Sequence, residues 1–197
     1  MFVSHRKKCI FIHIQKTAGY SIEAAVRNDD PALEVDRFGP RKHLFAREAR
    51  ALLPAETWNG YYRFAFVRNP WDRLVSWYSR CMQGGRGNAF AQYVQQNAPT
   101  FADFITQTTT GIAEKTTYNQ VDYVTDEAGE VIVDFVGRYE RLAADYATIR
   151  ARLKLEYHLP RINTSSHTGY RDYYTADTRA IVAARFARDI ARFGYEF

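Results

Sequence analysis

"CIFIHIQKTAGYSIEAAV", residues 9–26, passes from a β-branched apolar run into a helical pattern through a hinge that carries one lysine and one glycine. "CIFIHI" (9–14) reads as a buried strand, and "YSIEAAV" (20–26) as a helix with Ile22, Ala25 and Val26 on one face. Strand, tight loop and helix in that order open a βαβ unit. A second hinge of the same kind follows. "YYRFAFV" (61–67) is a strong strand and "NPWDRLVSWYSRCM" (69–82) a helix, with Asn69 as N-cap and Pro70 at the first helical position. Further on, "TFADFITQT" (100–108) is a helix capped by Thr100, and "YVTDEAGEVIVDFVG" (123–137) is two extended runs around a turn. "RYERLAADYATIRARL" (138–153) and "ADTRAIVAARFARDIARF" (176–193, capped by Thr175) are helices. Strands alternating with helices predict an α/β domain with a mainly parallel sheet, whose ligands bind beyond the carboxyl ends of the strands.

At the first hinge, backbone N–H groups and the positive end of the helix dipole make an anion site, and small residues let the anion approach. Lys16 supplies an ammonium, Thr17 and Ser21 supply hydroxyls, and Gly19 a position of close approach. A nucleoside-triphosphate P-loop needs GxxxxGK[ST]. Here the lysine precedes the glycine and no glycine lies upstream, which removes the main support for a mononucleotide kinase. At the second hinge Arg68 ends its strand, and Ser76 lies eight positions on, about two helical turns away. Two anion cradles at adjacent strand ends suit a ligand with two separated anionic groups, such as a 3′,5′-bisphosphorylated nucleotide.

These residues carry a family resemblance. "FIHIQKTAGYSI" resembles the 5′-phosphosulfate loop, and "FAFVRNPWDRLVSWY" the 3′-phosphate motif, of the PAPS-dependent carbohydrate sulfotransferases of the family 2 type, which also occur in bacteria. The likeness extends through "KHLFAREARALLP", "VDFVGRYERLAADY" and the ending "YRDYYTADTRAIVAARFARDIARFGYEF", and so covers nearly the whole chain. The first loop usually reads PKTAGT; this chain has Gln15 and Tyr20 instead.

The resemblance implies a P-loop-like three-layer α/β fold, with a central mainly parallel sheet flanked by helices, in a single sulfotransferase domain over 1–197. It implies in-line transfer of a sulfuryl group from PAPS to a hydroxyl, with PAP as product and no metal. Lys16 and the run Thr17, Ala18, Gly19, Tyr20 and Ser21 would hold the 5′ end, with Lys16 stabilising the leaving group. Arg68 and Ser76 would hold the 3′-phosphate. His43, in "RKHLFARE", stands where the family places its catalytic base, and Asn163, His167 and Arg171 fall in the segment that closes over the nucleotide. His13 reads as a hydrogen-bonded core residue.

Length and composition bound the rest. At 197 residues, 46% hydrophobic, the chain suffices for one substantial core. Its net charge of +5 favours anionic ligands without choosing among them. Two cysteines, Cys9 and Cys81, have no metal-type spacing and read as free thiols. The N-terminal apolar run is too short and polar for a signal peptide or membrane span, so a soluble, cytoplasmic, bacterial protein is expected. The acceptor is expected to be a carbohydrate or glycolipid; no nucleic-acid partner is expected, and neither acceptor identity nor oligomeric state is legible. Three other readings stand beside this one: a P-loop-like small-molecule kinase, a non-catalytic polyanion binder, and a sulfotransferase-like protein that binds nucleotide without transfer.

Overall fold

The computed structural model describes residues 1–35, 43–84, 88–160 and 169–197. Four strands, β1 (Phe2–Ser4), β2 (Cys9–Ile12), β3 (Tyr62–Val67) and β4 (Phe135–Arg138), form one sheet in that order. The helices in chain order are α1 (Gly19–Asp29), α2 (Ala46–Leu52), α3 (Ala55–Gly60), α4 (Pro70–Met82), α5 (Ala89–Asn97), α6 (Phe101–Gln107), α7 (Gln120–Val124), α8 (Leu142–Leu153), α9 (Ala176–Arg185) and α10 (Ala187–Phe193). Short 3₁₀ turns cover Gly111–Thr117, Tyr139–Arg141 and Tyr170–Tyr173. The chain divides into two compact units, Met1–Arg68 with Gln120–Asn163, and Asn69–Asn119 with Thr164–Phe197.

The first unit holds the sheet. β2 runs parallel to β3 with Ile12 opposite Ala65, and β3 parallel to β4 with Val67 opposite Arg138. β1 is antiparallel to β2, pairing Phe2 with Phe11. Side chains alternate across a strand, so Cys9 and Phe11 share a face with Phe64 and Phe66. That face packs on Ile22, Ala25 and Val26 of α1 and on Tyr146, Ile149 and Leu153 of α8. Gly137 is needed where it stands, because a Cβ there would run into the Phe66 ring. Three parallel strands thus end at one edge of the sheet, and that edge receives His13, Arg68 and Tyr139.

The second unit is helical. Asn69 caps α4, its side-chain oxygen accepting the Trp71 N–H, and Pro70 takes the first helical position. Trp71, Leu74 and Val75 of α4 meet Val94 of α5, Phe104 of α6 and Val182 of α9 in its core. Thr100 and Thr175 cap α6 and α9 as their sequences predict.

Four features differ from the sequence reading. β1 is a strand, because an antiparallel partner needs only three residues of Phe-Val-Ser beside β2. Of the run 123–137, the first part is helical in α7, with an isolated bridge from Thr125 to Val131, and only Phe135–Arg138 is strand. Val124 reads as extended within that run, but the helical turn of α7 buries it together with Val121. The helix over 138–153 begins as a 3₁₀ turn. The helix over 176–193 breaks at Phe186, whose backbone leaves helical values while its ring stays fully buried.

Candidate functional site

The loop from β2 to α1 is built on two non-glycine residues in the left-handed region, Lys16 (φ 69°) and Ala18 (φ 68°). L-residues avoid that region, so the surroundings must hold them there. One support is Thr17, fully buried, whose hydroxyl donates to the Ile14 carbonyl at 2.9 Å. Its hydroxyl proton is committed there, so toward a ligand the residue offers its backbone. A second support is the Ala18 carbonyl, which accepts the N–H groups of both Ser21 and Ile22. The backbone donors of the first turn that have no intrahelical acceptor are therefore those of Gly19 and Tyr20. No acidic residue stands in the first turn of α1 and no side chain caps it, so the helix itself does not offset the positive end of its dipole. Ser21 is buried and Tyr20 is 56% exposed.

His13, one residue past β2, is buried with its ring against Gly19; any Cβ at Gly19 would overlap that ring. The ring of His43 meets that of His13 edge to face, with centroids 4.5 Å apart. His43 also lies 2.8 Å from the His13 carbonyl through Nδ1. A carbonyl only accepts, so Nδ1 carries the proton and the lone pair of the neutral ring is on Nε2. One imidazole thus separates His43 from the anion loop. His13 is more than a core residue: ring and backbone both serve this arrangement.

Arg68 is 4% exposed, at the end of β3. Its Nη1 donates to the Lys16 carbonyl at 3.3 Å, and its guanidinium carbon lies 3.9 Å from the centre of the Tyr139 ring. The two hinges that the sequence separates by 52 residues therefore touch. Stacking on an aromatic face suits a guanidinium and keeps its in-plane N–H groups able to donate, as Nη1 does to Lys16. Ser76 is a buried residue of α4, in the second unit. Arg171, also in the second unit, is exposed and lies over the rings of Tyr170 and Phe197. Asn163 and His167 lie outside the described residues.

Gln15 stands where the resembling family has proline, and its Oε1 accepts the hydroxyl of Tyr123 at 2.9 Å. Gln120, Tyr123 and Tyr139 all meet the site, and sequence reasoning did not single them out. The signal available was the three-residue spacing in "NQVDY", which puts Gln120 and Tyr123 on one side of a helical turn.

A model described as "Sulfotransferase family" matches residues 1–196. The chain belongs to the sulfotransferase family. An uncharacterized protein of Archaeoglobus fulgidus is 31% identical to this sulfotransferase over 116 residues, covering 57% of this chain and 85% of that protein. The crystal structure of mouse sulfotransferase SULT7A1 complexed with PAP matches with a TM-score of 0.54 and 14% identity, covering 96% of this chain and 86% of that one. At that identity the likeness is one of fold, and it bears out the central, mostly parallel sheet with flanking helices. The chemistry of the sulfotransferase is accordingly sulfuryl transfer. Among its described residues no helix is long and apolar enough to cross a membrane, and no group of three or more His, Cys, Asp or Glu could hold a metal ion.

Proposed function

We propose that this sulfotransferase moves a sulfuryl group from PAPS to a hydroxyl acceptor, a glycan or glycan-like molecule such as a glycolipid, by in-line displacement. The observation that carries this reading is the meeting of the two hinges, with the Arg68 guanidinium on the carbonyl of Lys16. A helix N-terminus with no acidic residue in its first turn, a lysine and a stacked arginine suit an anion of high charge. PAPS supplies the activated sulfuryl group and leaves as adenosine 3′,5′-bisphosphate. Lys16 and the backbone N–H groups from Thr17 to Tyr20 hold the 5′ end, with Ser21 beside them, and the Lys16 ammonium offsets the charge that gathers on the leaving oxygen. Arg68 holds the 3′-phosphate, with Ser76 assigned to the same group on its spacing in the sequence and on the family resemblance. Arg171, Asn163 and His167 are assigned to the nucleotide on the resemblance alone. His43 takes the proton of the acceptor hydroxyl on Nε2 as the new S–O bond forms, its tautomer set by the bond to the His13 carbonyl.

Calorimetric titration with PAP, together with transfer of label from radiolabelled PAPS to a panel of glycans, tests the reading. Lys16→Ala and Arg68→Ala are expected to lose PAP affinity. His43→Ala is expected to keep that affinity while turnover falls by about 10²–10⁴. Wild-type affinity in the first two variants would overturn the site, and wild-type turnover in the third would overturn the base. PAP binding with no transfer to any acceptor would favour a nucleotide-binding relative that lacks activity.

A further inference from the structure

Helix α7 is one helical turn, yet three of its residues reach the elements that carry Arg68, Lys16 and His43. Gln120 is fully buried. Its Oε1 accepts the Arg68 N–H at 2.9 Å, and its Nε2 donates to the Arg68 carbonyl at 2.7 Å. That amide gives Arg68 what a further strand residue would give, just where β3 ends. One turn on, Tyr123, 1% exposed, donates its hydroxyl to Gln15 at 2.9 Å. The Tyr123 ring lies 4.6 Å from that of Phe45, two residues after His43, and the Asp122 carbonyl accepts from Arg47 at 3.2 Å. A buried amide and a buried phenol are costly unless their polar atoms are used, and both are used on residues next to the site.

We infer that α7 is a bracket for the donor site, in which Gln120 positions Arg68 and Tyr123 positions the Lys16 loop through Gln15. This rests on the reading above, in which Arg68 and Lys16 hold the two anionic ends of the donor. The backbone of Arg68 sets where its guanidinium begins, and the amide clasp fixes that backbone at both its N–H and its carbonyl. Lys16 follows Gln15 directly and sits in the left-handed region. A tether on the Gln15 side chain restrains the peptide leading into it, where the resembling family uses a proline ring. The division of labour is specific: one positioning residue serves the 3′ end and the other the 5′ end.

Affinities for PAP and for adenosine 5′-monophosphate, which lacks the 3′-phosphate, separate the two roles. Tyr123→Phe keeps the ring and removes only the hydroxyl. It should weaken both nucleotides alike, by roughly two- to tenfold, and leave their ratio unchanged. Gln120→Met should weaken PAP over the same range and leave adenosine 5′-monophosphate near wild type, so that selectivity for the 3′-phosphate shrinks. Gln120→Glu, which can still accept the Arg68 N–H, should fall between. The double variant Gln15→Ala with Tyr123→Phe should cost no more than either change alone, since both remove one bond. Lys16→Ala and Arg68→Ala serve as references, and thermal unfolding is followed for every variant. If the references lose affinity but the α7 variants do not, or if both α7 variants lower both nucleotides only in step with their melting temperature, the bracket is overturned. If the references bind as wild type, the donor site itself is wrong and the bracket falls with it.

Discussion

The ring of His13 occupies the space that a Cβ on Gly19 would need. A residue at the end of a strand thereby decides which residue can open the following helix. The same His13 receives the Nδ1–H of His43 on its carbonyl, so the close approach to Gly19 and the orientation of His43 depend on one residue.

Gly19→Ala should therefore act on His43, the proposed base, as well as on the loop. The added methyl displaces the His13 ring, and overpacking of that kind costs about 1–3 kcal/mol. Urea unfolding should show that loss, and turnover should fall further than PAP affinity does. A Gly19→Ala protein with wild-type stability and turnover would mean that His13 can move without consequence.

Asp29 governs part of the acid stability. Burial pushes its carboxyl up, but the N–H groups of Glu156 and Tyr157 and the Lys7 ammonium at 3.3 Å outweigh this, and its pKa lies below the ordinary value. A depressed carboxylate adds stability that is present above its unfolded pKa of about 3.9 and is lost as pH falls through the folded value. Asp29→Asn should cost about 1–3 kcal/mol at pH 7 and flatten the decline in stability below about pH 4. Denaturant titrations at pH 7 and at several values down to pH 3 would show it. Asp134, lowered by Arg63 against its own burial, keeps some acid dependence in the variant.

Both cysteines should be inert in the folded protein. Cys9 lies fully buried in β2, and burial pushes its thiol up to about 12, with Asp30 adding to the shift. The thiolate is the reactive form, so almost none is available at neutral pH. Cys81 is buried as well. Ellman's reagent should titrate no thiol in native protein at pH 7.5 and two after denaturation. Rapid reaction of either thiol in the native state would contradict the packing described for it.

The hinges were legible because they are local. A β-branched run, a lysine and glycine, and a helical pattern sit within 18 consecutive residues, and Asn69-Pro70 announces the second helix by its own capping chemistry. The contact between Arg68 and Lys16 was only implied, through the rule that parallel strands deliver their ends to one edge. The parts that escaped are set by tertiary partners. Five residues with two valines become a helix in α7 because Gln120 and Tyr123 find acceptors and donors 52 and 108 residues away. The spacing in "NQVDY" permits a helical turn, but nothing in a local window names those distant partners. Likewise Thr17 read as a hydroxyl for the ligand, and it spends that hydroxyl on Ile14 to hold the turn.

Lys16 and Ala18 hold left-handed backbone without being glycine, at a cost of about 1 kcal/mol or more each. Replacing Lys16 by glycine would relieve strain and leave a more stable loop that had lost its charge. Selection for stability alone would therefore drift away from the lysine that the proposed mechanism uses. Lys8 and Lys154 hold the same backbone region away from this loop, so the angle alone names no role; at Lys16 it sets a stability cost against the charge that the proposed donor site uses.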